Sequence, residues 1–68
     1  MDVTYDEIRL AVEYNISDKD EFISQLTSAF SETEDKEMKE VMTGLIDKVR
    51  NMTDAEYKIL LNIGDAII

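Results

Sequence analysis

Apolar residues recur along this chain at helical intervals, with little of the strict alternation that marks a half-buried strand. At about 100° per residue, Tyr5, Ile8, Ala11 and Val12 fall on one side of a first helix, and Phe22, Ile23, Leu26, Ala29 and Phe30 on one side of a second. Met38, Val41, Met42, Leu45, Val49 and Met52 form a third stripe. Stripes of this width read as the buried face of a packed helix rather than as a cofactor groove. Near each helix start stands a Ser or Thr followed three residues later by an acid: Thr4 and Glu7, Ser17 and Asp20, Ser31 and Glu34, Thr53 and Glu56. In that arrangement the hydroxyl accepts from a free amide while the acid reaches back to the cap residue's own N–H. The expected helices are therefore 5–15, 18–30, 32–51 and 54–67, joined by loops short enough to make sequential helices antiparallel neighbours. The expected fold is all-α, a small compact bundle of about four helices forming one domain over residues 1–68.

The fourth helix differs from the others. Tyr57, Leu60, Leu61, Gly64, Ile67 and Ile68 make one stripe, and Ala55, Ile59, Ile63 and Ala66 a second on nearly the opposite side. A helix apolar on two sides is buried on two sides. Either it runs through the middle of the bundle, or Ile59, Ile63 and Ala66 meet another copy of the protein. In the first helix, Leu10 and Tyr14 project away from the Ile8 and Val12 stripe, framed by Asp6, Glu7 and Glu13. They suit the anchor of a partner that is apolar at its centre and basic at its rim. The alternative is that a neighbouring helix covers both.

Charge narrows the choice of partner. The chain has 68 residues, with 16 Asp and Glu against 7 Lys and Arg, a formal charge of −9. The imbalance sits in residues 1–40, with 12 acids and 4 bases, while residues 41–68 hold 4 acids and 3 bases. Glu32 with Lys36, Asp35 with Lys39 and Asp54 with Lys58 have the acid-before-base spacing of helical ion pairs and are expected to compensate one another. Left uncompensated are Asp2, Asp6, Glu7 and Glu13 around the first helix, Asp18, Asp20 and Glu21 opening the second, and Glu37, Glu40 and Asp47 on one flank of the third. So acidic a surface repels nucleic-acid phosphates and anionic lipid headgroups and favours a basic partner. Acids three or four apart on a helix lie about 5–6 Å from each other, close to the spacing of phosphates along a nucleic-acid strand, so such rows can imitate a phosphate backbone.

Much chemistry is excluded by what is missing. With no Cys and no His, there are no disulfides, no zinc site and no Cys or His nucleophile. No orienting base stands beside a Ser, Thr or Lys in a pattern that suggests catalysis. Asp18-Lys19-Asp20 starts like a calcium loop, but the sixth position is Ile23 and the twelfth Ala29, where an EF-hand requires Gly and Glu. The two glycines, Gly44 and Gly64, make no phosphate-binding loop. The longest wholly apolar run is Ile59 to Leu61, and the acidic start Met1-Asp2-Val3-Thr4-Tyr5-Asp6 lacks the features of a signal peptide. A cytoplasmic protein, or one in the host-cell cytoplasm if viral, with no catalytic residue, cofactor or metal is expected.

In size, acidity and helix number the chain resembles acyl carrier proteins, whose prosthetic arm sits on the Ser of an Asp-Ser-Leu motif opening the second helix. Here Ser17-Asp18 reverses that order, so no arm is expected. Met52-Thr53-Asp54-Ala55-Glu56-Tyr57-Lys58-Ile59-Leu60 resembles the opening helix of the DNA-binding unit in winged-helix regulators, but no recognition helix follows and the acidity opposes DNA contact. The reading that remains is a non-catalytic interaction protein binding a basic surface of a nucleic-acid-binding protein through Asp6, Glu7, Leu10, Glu13, Tyr14, Asp18, Asp20, Glu21, Glu37, Glu40 and Asp47. Its concrete form is a small inhibitor imitating phosphates, of the kind used by viral or mobile-element antagonists. The alternatives are an assembly module self-associating through Ile59, Ile63 and Ala66, and an adaptor or antitoxin-like subunit.

Overall fold

A computed structural model describes residues 2–67. Four helices follow one another: α1 (Tyr5–Tyr14), α2 (Lys19–Glu32), α3 (Lys36–Arg50) and α4 (Asp54–Ile67), with no strand among the described residues. α2 packs on α3 and α1 on α4, while α1 also leans on α3 and joins the two pairs.

Two of the four expected caps form as the spacing requires. Thr4 accepts from the Glu7 N–H at 3.2 Å while Glu7 accepts from the Thr4 N–H at 2.9 Å. Thr53 and Glu56 repeat the exchange at 3.1 and 2.8 Å. The other two are corrected. α2 is capped by Asp18, whose Oδ1 accepts from the Asp20 and Glu21 amides, and α3 by Asp35, whose Oδ1 accepts from Glu37 and Met38. A carboxylate at the positive end of the helix dipole satisfies the same amides as a hydroxyl and adds its charge. Ser31 lies inside α2, its hydroxyl donating to the Thr27 carbonyl, so α2 runs on to Glu32 and α3 begins only at Lys36. Glu32 and Lys36 thus belong to different helices and Asp35 is occupied as a cap. Neither expected pair forms, nor does Asp54 with Lys58, and the single salt bridge among the described residues lies elsewhere.

The core is Ala11, Phe22, Leu26, Leu45, Val49, Tyr57 and Leu60, all fully buried, with Ile8, Leu10 and Met42 beside them. Phe22 sits at its centre, edge-on to Tyr14 at 5.8 Å and tilted against Tyr57 at 5.4 Å between ring centroids. Two polar ties lock the loops to this core: Tyr57 donates its hydroxyl to the Ile16 carbonyl, and Lys19 Nζ donates to the Met52 carbonyl at 2.6 Å. α1 ends at Asn15, in the left-handed conformation at φ 50°, where its N–H closes on Ala11. Tyr5 and Met38, expected in the core, are 56% and 38% exposed. Each lies in the first turn of its helix, where the facing element covers it only in part.

α4 shows one buried stripe. Tyr57, Leu60 and Gly64 face α1, where a Cβ on Gly64 would stand 2.0 Å from Val12 Cγ2 and 3.2 Å from Ile8 Cγ2. Close approach of the two helices is therefore what the glycine provides. The second stripe is uncovered: Ile59 is 50% exposed and Ile63 39%, with Ala55 and Ala66 also exposed. Passage of α4 through the bundle centre is excluded, because α1 is its one extensive neighbour. Ile67, expected on the inner stripe, is exposed, and Ile68 lies outside the described residues. No helix among the described residues is long and apolar enough to cross a membrane.

Candidate functional site

α1 and α3 cross so that the first turn of α3 and its cap lie beside the middle of α1. Between them runs a groove of about 240 Å³ lined by Asp6, Arg9, Leu10 and Glu13 from α1 and by Asp35, Glu37, Met38 and Val41 from α3. Leu10, Met38 and Val41 supply its apolar floor. A shallower extension, bordered by Glu13, Tyr14 and Met42, continues toward the α1 C-terminus. The rim holds four carboxylates against one guanidinium, and none of the four has a salt-bridge partner among the described residues. The Arg9 guanidinium stands over the exposed Tyr5 ring, 6.0 Å from its centroid.

Of the two readings of Leu10 and Tyr14, cover by neighbouring helices is the one the structure shows. Leu10 is buried, because α3 comes down on that face of α1, and Tyr14 is half-buried against Phe22. Both still border the groove. Glu7 does not: it is 5% exposed and accepts from Lys48 Nζ at 2.7 Å. Its carboxylate lies against α3 at Gly44, where a Cβ would come within 2.7 Å of Oε2. A bonded, enclosed carboxylate is unavailable to a partner, so Glu7 is a clamp between α1 and α3.

The remaining acids divide among separate places. Asp18 and Asp20 line an open concavity with Asp54, Lys19 and Lys58 at the α2 and α4 N-termini, and Asp18 is engaged as a cap. Glu21 is exposed without joining a concavity described here. Glu40 and Asp47 lie toward α2, beside Phe30, and not on the flank that carries Glu37. The structure thus brings Asp6, Leu10, Glu13, Tyr14 and Glu37 together and sets the others apart. It adds Asp35, Met38, Val41 and Met42, which the sequence stripes assign to an ion pair or to the core. The late start of α3, capped at Asp35, is what sets Asp35 and Met38 at the mouth of the groove.

No group of three or more acids among the described residues is placed to hold a metal ion. The polar groups of the groove are exposed carboxylates and a guanidinium. In chemical terms the arrangement is an apolar floor of Leu10, Met38 and Val41 inside a wet, acidic rim.

No curated protein and no solved structure matches the chain significantly. A family model does: residues 3–63 match the family described as "Putative transposon-transfer assisting protein" (TTRAP). That stretch contains all four helix starts and the whole groove, and the chain accordingly belongs to this mobile-element-associated family.

Proposed function

We propose that this chain is a non-catalytic accessory protein of mobile-element transfer that docks, through the α1–α3 groove, a basic segment of a nucleic-acid-binding protein. The observation that carries this reading is the apolar floor of Leu10, Met38 and Val41 rimmed by Asp6, Glu13, Asp35 and Glu37. The rim carboxylates take the place that phosphates would hold on the partner's cationic surface, and the chain itself avoids nucleic acid because its charge of −9 repels it. The family description, with its word "assisting", favours recruitment over inhibition as the outcome of docking.

The test is capture of partners on the immobilised chain from nuclease-treated extract of a cell that carries the element. Asp6→Lys with Glu13→Lys should abolish capture, whereas Glu40→Lys with Asp47→Lys, on the other side of α3, should leave most of it. Binding should weaken steeply as salt rises toward about 1 M, where the screening length is about 3 Å, and added duplex DNA should compete. Capture that is indifferent to both salt and the groove variants overturns the proposal.

A further inference from the structure

Glu7 is the one buried charged side chain among the described residues, and three partners converge on it. Its Oε1 accepts from the Thr4 N–H at 2.9 Å, closing the α1 capping box, and from Lys48 Nζ of α3 at 2.7 Å. Its Oε2 lies against the middle of α3 at Gly44. The box at Thr53 and Glu56 makes the same exchange of hydrogen bonds, but there the acid is exposed and forms no salt bridge among the described residues. Capping a helix therefore requires neither burial of the acid nor a lysine beside it, and these added features of Glu7 serve something other than the start of α1.

Gly44 points the same way. Inside a helix glycine is a poor choice beside alanine, and no described glycine has a positive φ that would demand it. Space demands it instead, because a Cβ at this position would stand 2.7 Å from Glu7 Oε2, inside van der Waals contact. The clamp also adjoins the groove. Leu10 follows Glu7 by three residues on α1 and Val41 precedes Gly44 by three on α3, about one turn in each case. Both belong to the groove floor, whereas Glu7, Gly44 and Lys48 do not line the groove. Without its lysine or its seat, the enclosed carboxylate must find water in place of the lost partner. Water reaches it only if α1 and α3 move apart.

We propose that Glu7, seated on Gly44 and held by Lys48, sets the separation of α1 and α3 and through it the width of the acidic groove. The three are positioning residues that touch no partner themselves. Their consequence for docking rests on the reading of the groove as the binding site, while their effect on its width does not.

The chain has no cysteine of its own, so Glu13→Cys with Glu37→Cys places one spin label on each wall of the groove, and the dipolar coupling between the labels reads its width. Gly44→Ala and, separately, Lys48→Met should lengthen and broaden that distance while far-ultraviolet dichroism stays helical. Thermal unfolding tests the seat: Gly44→Ala should raise the midpoint in a Glu7→Ala background, where no carboxylate is displaced, and should fail to raise it in the native one. In the capture test described above, Gly44→Ala should weaken binding several-fold with its salt dependence unchanged, because no rim charge is altered. A label distance that neither variant moves, or a Gly44→Ala that stabilises equally in both backgrounds, overturns the proposal. The distance and unfolding measurements need no partner, so they judge the clamp even where the native chain captures nothing and the docking reading falls.

Discussion

The hydroxyl of Tyr57 donates to the Ile16 carbonyl from a ring that is fully buried between Phe22 and its neighbours. One residue therefore ties α4 to the loop that follows α1. Burial, and after it the negative charge of Asp18, pushes the phenol up to about 12. An ordinary unfolded phenol titrates near 10, so the folded state holds this proton more tightly than the unfolded chain does. The stability it contributes is complete below about pH 10 and is lost as the pH rises toward 12. Tyr57→Phe should cost about 1 kcal/mol at neutral pH through the lost hydrogen bond, and urea unfolding should show the gap between the two proteins closing across that alkaline range. A gap that stays constant to pH 12 would mean that the phenol is not held in its neutral form. The periodic stripe already places Tyr57 inside; its partner 41 residues away is invisible to periodicity.

At the scale of the helices, the caps separate what local pattern determines from what it leaves open. The Thr-x-x-Glu boxes at Thr4 and Thr53 form as their spacing predicts, and hydrogen bonds from the Thr53 backbone and side chain hold the Glu56 carboxyl below its ordinary value. At α2 and α3 two candidates compete within a few residues, and the carboxylates of Asp18 and Asp35 prevail over the hydroxyls of Ser17 and Ser31. Asp18→Ala and Asp35→Ala should each cost about 1 kcal/mol in thermal or urea unfolding. Ser17→Ala and Ser31→Ala should stay within about 0.5 kcal/mol of the native chain. The reverse ranking would return the helix starts to the serines and move the beginning of α3 into the α2–α3 loop. That boundary matters for the site, because Asp35, Glu37 and Met38 line the groove by virtue of opening α3.

Taken whole, the molecule carries −9 in a globule of 30 × 22 × 19 Å, with one salt bridge among its described residues. Unpaired like charges at that density repel one another in the compact state more than in the expanded chain. Sodium chloride should therefore raise the unfolding midpoint as it is increased from about 0.05 to about 0.5 M, where the screening length falls well below the molecular dimensions. A midpoint that falls with salt would show that favourable ion pairs outweigh the repulsion. The same condition that stabilises the fold should weaken capture of a basic partner, so the two measurements move in opposite directions in one titration.

Helix number, the inner face of each helix, two of the four caps, the acid excess and the absence of thiol and imidazole chemistry were all determined by the sequence alone. Each depends on composition or on neighbours within one or two turns, and helical periodicity reports that local order directly. Tertiary structure alone decided which helix covers which face. Leu10 looks outward on an isolated α1 and is buried once α3 docks there; Glu7 looks free until Lys48, 41 residues on, reaches it. Glu37, Glu40 and Asp47 share a helix, yet the neighbours packed on α3 send the first to the α1 groove and the others to the α2 side. The outer stripe of α4, too, was legible as apolar but not as uncovered. A pattern along one helix states how much surface must be hidden, whereas the pairing of helices, set by packing between residues distant in sequence, settles what hides it.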